Sequence, residues 1–227
     1  MDKKDTNPKD ALGIRKAGLQ CVPGSIIIAI ANAFGGIANI PCRVLFELGM
    51  AMSEGARKYG RHNYRVTGVR ASVYYDAFMR HLSAGWWHSR EDIDPDSGVC
   101  HIIKALACLT VVYDSRCMLN WIDDRPPCLP SFSPIGSTRP YGTASFFYEE
   151  CMNNFICWWE GGNDKYFIDT VTMLINLRNA IHTGELEDDR PTDGKVFLPE
   201  LNETASGLIS KYPNCVDPYT QWALERQ

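Results

Sequence analysis

Between Glu54 and Lys104 the chain gathers Glu54, Lys58, Arg61, His62, Asn63, Asp76, Arg80, His81, Asp94, Asp96, His101 and Lys104. Carboxylates on neighbouring helices hold hard divalent ions through their oxygens. Such ions share a substrate's phosphates, and a metal-bound water can attack phosphorus in line. Lysines and arginines nearby would neutralise the charge of a leaving pyrophosphate or position a nucleotide. The chemistry these residue types favour is therefore hydrolysis at a phosphate.

Each residue also has a plainer reading. Glu54 with Lys58, and Asp76 with Arg80, are i, i+4 pairs of the kind found on solvated helix faces. His81 falls on an apolar stripe, where a satisfied core histidine is the commoner outcome. Asp76 and His81 are about 140° apart around an ideal helix, so one ion between them is disfavoured. Asp94 and Asp96 read as turn and cap residues. Lys104 could simply snorkel. His101, one turn beyond that loop, has the best claim to face a site beside Asp96. The clustering, rather than any one residue, carries the argument.

Other chemistries lack their signatures. There is no His-Asp dipeptide, no G-x-x-x-x-G-K-[ST] loop and no G-x-S-x-G elbow. A net charge of -4 without a long basic run argues against a nucleic-acid partner. Nine scattered cysteines without a C-x-x-C pair indicate reduced thiols and a cytoplasmic protein. The apolar run Ser25 to Ile40 is interrupted by Asn32, Gly35 and Gly36 and is too short for a membrane span. It reads as a core helix and a turn, and the acidic start argues against a signal peptide.

The elements that must position these residues read as helices. Val44, Leu48, Ala51 and Met52 form an i, i+4, i+7, i+8 stripe, with Gly60 as a stop. Tyr74, Ala77, Phe78, His81, Leu82 and Gly85 form another. A further helix is expected from about Val99 to Asp114, capped by Asp96 or Ser97. The frame then recurs. ASVYYDAFMRHLSAGWW (71–87) returns as ASFFYEECMNNFICWW (144–159), with a one-residue slip at the Trp pair. Asp123-Asp124-Arg125-Pro126 returns as Asp188-Asp189-Arg190-Pro191. The second version writes Asn153-Asn154 for Arg80-His81 and has no DIDPDSG loop. Short links and no alternating strands predict an all-α helical bundle with an internal degenerate duplication. The expected division is a catalytic unit over 1–127, a linker over 128–142, a degenerate second copy over 143–195, and a C-terminal helix and tail over 196–227. The second copy is expected to share a core with the first.

Four stretches resemble the phage-encoded dATP/dGTP diphosphohydrolase family. They are NPKDALGIRKAG (7–18), EGARKYGRHNYR (54–65), GVRASVYYDAFMRHL (68–82) and EDIDPDSGVCHIIKALACL (91–109). WIDDRPP (121–127) and the late KYPNCVDPYT are also similar to it. The resemblance implies cleavage of purine deoxynucleoside triphosphates to monophosphate and pyrophosphate in a bacterial host's cytoplasm. It also implies kinship with all-α, Mg²⁺-dependent MazG-like pyrophosphohydrolases. Those carry E-x-x-E followed by E-x-x-D, whereas here Glu47 and Glu54 are seven apart and Val73 stands three before Asp76.

On this reading Mg²⁺ is held by Glu54, Asp76 and Asp96, with His101 as ligand or base. Glu54, Asp76 and His101 are the catalytic candidates. Lys58, Arg61, Arg80 and Lys104 face phosphates, while Tyr59, Asn63 and His81 complete nucleotide binding. No nucleic-acid or membrane partner is expected, and a homo-oligomer is left open. The alternative is a non-catalytic protein that sequesters a nucleotide.

Overall fold

Apolar stripes become helices in the order the sequence suggests. α1 (Gly24–Ala33), α2 (Cys42–Tyr59) and the short α3 (Tyr64–Thr67) lead to α4 (Ala71–Met79). A π-helix (Arg80–His88) continues α4 without a break. α5 (His101–Cys117), α6 (Ala144–Gly161) and α7 (Asp164–Thr183) follow, with 3₁₀ turns at Leu19–Cys21 and Ile37–Asn39. This computed structural model describes residues 16–128 and 133–192. The tail helix expected after residue 195, the first residues of the 7–18 stretch and Cys215 lie outside the described residues. Among the described residues the fold is all-α apart from two-residue strands, β1 (Val69–Arg70) and β2 (Trp121–Ile122), paired in parallel.

One apolar core joins both copies of the repeated frame. Val44 and Leu48 of α2, Phe78 and the π-helix's Leu82, and Ile102 and Leu106 of α5 are all nearly inaccessible. They share a cluster with Phe155 and Trp158 of α6 and Phe167, Leu174 and Leu177 of α7. Across the copies Phe78 stacks on Phe155 with centroids 3.8 Å apart, and Trp87 lies parallel to Tyr148 at 4.4 Å. Such ring pairs add about 0.5–1.5 kcal/mol each beyond area burial.

The repeated Asp-Asp-Arg works as a reciprocal clasp. Its second aspartate caps its own copy's helix: Ser72 donates N–H and Oγ to Asp124 at 2.8 and 2.6 Å. Ser145 does the same to Asp189 at 2.7 and 2.5 Å. A carboxylate there satisfies donors that a helix start leaves unpaired. Its first aspartate holds the arginine in a fork, Asp123 with Arg125 and Asp188 with Arg190. The arginine then crosses to the other copy. Arg125 donates Nη1 to the Trp158 carbonyl at 2.9 Å, and Arg190 donates Nη1 to the Trp86 carbonyl at 3.0 Å. Each guanidinium also sits over that tryptophan's ring, at 4.8 and 4.9 Å. The parallel pairing of Arg70 with Ile122 has its counterpart in a bridge between Thr143 and Glu187.

The clasp pairs Trp86 with Trp158, which locates the one-residue slip. Leu82 and Phe155 stand equally far from Ala71 and Ala144, but Trp86 follows Leu82 by one residue more than Trp158 follows Phe155. The π-helix absorbs this residue, since i→i+5 closure takes one more residue per turn than i→i+4. Ser89 accordingly donates its N–H to the Ala84 carbonyl. α6 has no insertion and stays α-helical to Gly161.

A second tie joins α2 to α7. Arg178 donates Nε and Nη2 to Glu47 at 2.7 and 3.0 Å, and His182 Nε2 lies 3.1 Å from the same carboxylate. Burial pushes the Glu47 carboxyl up, but the bonds and charges of Arg178 and His182 outweigh it and leave the pKa lowered. The unfolded chain then binds the proton more readily. The contribution is complete above the unfolded value of about 4.3 and is lost as pH falls through the native value. Acidification below about pH 4.5 should therefore destabilise the wild type more steeply than Glu47→Gln, as read by urea midpoints across that range.

Candidate functional site

Three elements bring the polar cluster together: α2, the π-helix, and the start of α5 with the loop before it. Glu54 is buried on α2 between two lysines. Lys58 Nζ stands 2.5 Å from Oε1, and Lys104 of α5 donates to Oε2 at 2.8 Å. Burial raises the Glu54 carboxyl, yet its bonds to Lys104 and Lys58 win and the pKa is lowered.

The histidines meet beside this pair. His81 Nδ1 and His101 Nδ1 are 3.0 Å apart. Asp94 completes the group, one ligand-type atom from each of the three lying within 4.8 Å of the others. The loop is tied so that Asp94 turns inward. Its N–H donates to the Val99 carbonyl, its own carbonyl accepts from Gly98, and His101 N–H donates to the Asp92 carbonyl. Ser97 Oγ donates to Asp94 Oδ2 at 2.5 Å. Burial raises the Asp94 carboxyl, but the Ser97 bond and the nearby imidazoles lower it overall.

Burial disfavours the charged form of both imidazoles. Burial, and then the charge His101 would carry, depress His81 to about 4. Burial also lowers His101, against the opposing pull of Asp94, Glu91 and Asp92. Two neutral rings sharing one N–H between their Nδ1 atoms leave the buried His101 Nε2 without a hydrogen-bond partner. Glu91 Oε2 lies 3.9 Å from it.

The other expected site residues fall elsewhere or at the margin. Asp76 is exposed on α4 and makes no ion pair with Arg80; its charge, like that of Glu160, bears on Tyr75. Asp96 is exposed in the loop, where its N–H faces Asp94. Thus Asp94, rather than Asp96, accompanies His101, because the turn buries one and leaves the other outside. Neither Asp96 nor Ser97 caps α5, whose N-cap is Cys100. Arg80 is exposed but close enough to bear on His81. Tyr59 is 70% exposed, Arg61 reaches the Gln20 carbonyl, and Asn63 is the N-cap of α3.

These carboxylates do not fit a Mg²⁺ cage. Magnesium asks for near-octahedral oxygen ligands. Glu54 is already engaged by two ammonium groups, Asp76 and Asp96 point to solvent, and the cluster's other donors are imidazoles.

Gly85 was not among the candidates, yet it shapes the site. A Cβ there would lie 2.5–2.7 Å from three ring atoms of His101, so the imidazole rests directly on the π-helix backbone. Gly85→Ala should lower unfolding stability by about 1–3 kcal/mol through overpacking and displace the His101 ring. Urea unfolding, with the His101 ring shifts by NMR, reads both.

Residues 35–125 match the family described as dATP/dGTP diphosphohydrolase, N-terminal. The match runs from before α2 to just past β2 and contains every member of the cluster. It bears out the family resemblance over that segment. No curated protein and no solved structure matches the chain.

Proposed function

We propose that this chain hydrolyses dATP and dGTP to the monophosphate and pyrophosphate, serving phage nucleotide metabolism in the host cytoplasm. The family match carries the proposal, because residues 35–125 enclose the whole Glu54–Lys58–His81–Asp94–His101–Lys104 cluster. Lys58 and Lys104, which neutralise Glu54, are placed to exchange part of that pairing for phosphate oxygens. Arg80 adds charge at the rim. Attack by water belongs beside His81 and His101, whose neutral rings can accept its proton. Mg²⁺ enters with the nucleotide, on the triphosphate oxygens.

A second reading, nucleotide sequestration without turnover, is favoured by one observation: no carboxylate cage for Mg²⁺ is assembled among the described residues. Pyrophosphate release from a panel of dNTPs separates the two. Turnover of dATP and dGTP is expected, with kcat lowered about 100-fold in His101→Asn and kcat/KM at least about 10-fold in Glu54→Gln. Asp76→Asn should change little; a large loss there would restore Asp76 to the site. Tight binding without release would establish sequestration.

A further inference from the structure

We propose that His81, Asp94 and His101 form a binding site for one first-row transition-metal dication of the zinc type. Three observations converge on it. Their donor atoms lie within 4.8 Å of one another, two on helices that pack in the core and the third on the hydrogen-bonded loop between them. The donor set is two imidazoles and one carboxylate, which suits Zn²⁺, Co²⁺ or Fe²⁺ and not Mg²⁺. The two Nδ1 atoms, finally, face each other 3.0 Å apart, as two ligands of one ion would.

With the two Nδ1 atoms as ligands, the metal replaces the proton the rings share. Each ring then carries its N–H on Nε2. For His101 this donor lies 3.9 Å from Glu91 Oε2, within reach of a small side-chain adjustment. A ligating histidine whose second nitrogen donates to a carboxylate is a common arrangement. Two nitrogens on a tetrahedral zinc stand about 3.3 Å apart, against the 3.0 Å between these rings, so they need separate by only tenths of an ångström. Asp94 supplies the single negative charge, and its Ser97 hydrogen bond orients it. Three protein ligands leave a position open for water or a phosphate oxygen. The second copy has no counterpart, since Asn154 replaces His81 and donates its amide to the Glu150 carbonyl.

The site shares His81 and His101 with the hydrolysis reading: with the ion bound, these rings no longer accept the water's proton, and one experiment keeps the two readings distinguishable. Metal-stripped full-length protein is titrated with Co²⁺, following the visible bands of low-coordinate cobalt, and then with Zn²⁺ to displace it. About one ion per chain is expected. Affinity should fall at least about 10-fold in His81→Asn, Asp94→Asn and His101→Asn, and less in Glu91→Gln. His81→Asn introduces the residue found at position 154, and thermal melts confirm folding for each variant. No cobalt or zinc binding by the wild type, or equal binding in all the variants, overturns the site. Pyrophosphate release is measured alongside. Metal bound without turnover keeps the site and removes the enzyme, and turnover in Mg²⁺ by a wild type that binds neither cobalt nor zinc does the reverse.

Discussion

Arg65→Met is expected to lower unfolding stability by about 3–5 kcal/mol, the range for breaking a buried ion pair from one side. Its partner Asp114 is 1% exposed in α5 and accepts Arg65 Nε at 2.6 Å and Nη2 at 3.0 Å. Ser25 of α1 donates to the same carboxylate at 2.6 Å. Without the guanidinium that carboxylate keeps only hydroxyl partners, Ser25 and Tyr64, in a site almost closed to water. Urea unfolding measures the loss. The double variant Arg65→Met, Asp114→Leu should recover much of it, because replacing both charges with apolar groups removes the desolvation cost together with the attraction. Failure to recover would locate the loss in packing around α3.

The same network shows why a recognisable motif need not be a chemical one. KYGRHNYR is among the most specific stretches of the family resemblance, yet much of it is structural here. Tyr64 is buried, Arg65 pairs with Asp114, and Arg61 and His62 reach the Gln20 carbonyl. Spacing alone does not separate that role from phosphate binding, since both call for a cation near the end of a helix.

Helices were legible because a 3.6-residue stripe survives burial, as Val44, Leu48, Ala51 and Met52 show. The π-helix was not. Its only trace in the sequence was the slip at the Trp pair, and a single extra residue looks the same in a loop as in a widened turn. His81 lay on the apolar stripe and read as core; it is partly buried and also meets His101. Asp94 and Asp96 share a residue type and a turn, and only the closure of Asp94 on Val99 and Gly98 distinguishes them. The repeated Asp-Asp-Arg was visible, but its crossing from one copy to the other depends on how two distant helices meet.

That crossing sets the second large effect. Arg190→Met should cost about 2–4 kcal/mol by removing a nearly buried guanidinium with every bond it makes. Arg190 leaves behind the Trp86 carbonyl, the Asp188 carboxylate and Asp92 Oδ1, which it holds at 2.9 Å. Trp86 belongs to the π-helix that carries His81. Asp92 accepts His101 N–H through its backbone and sits two residues before Asp94. One side chain of the second copy thus fastens both supports of the histidine cluster. Arg125→Met breaks the mirrored contact at Trp158, where the helix carries Asn153-Asn154 and no such cluster. The two variants should lose comparable stability in urea. Only Arg190→Met should also weaken cobalt binding and slow pyrophosphate release at temperatures where both remain folded. Equal functional losses would mean that the second copy supports the site through the common core; a loss confined to Arg190→Met assigns that support to the clasp.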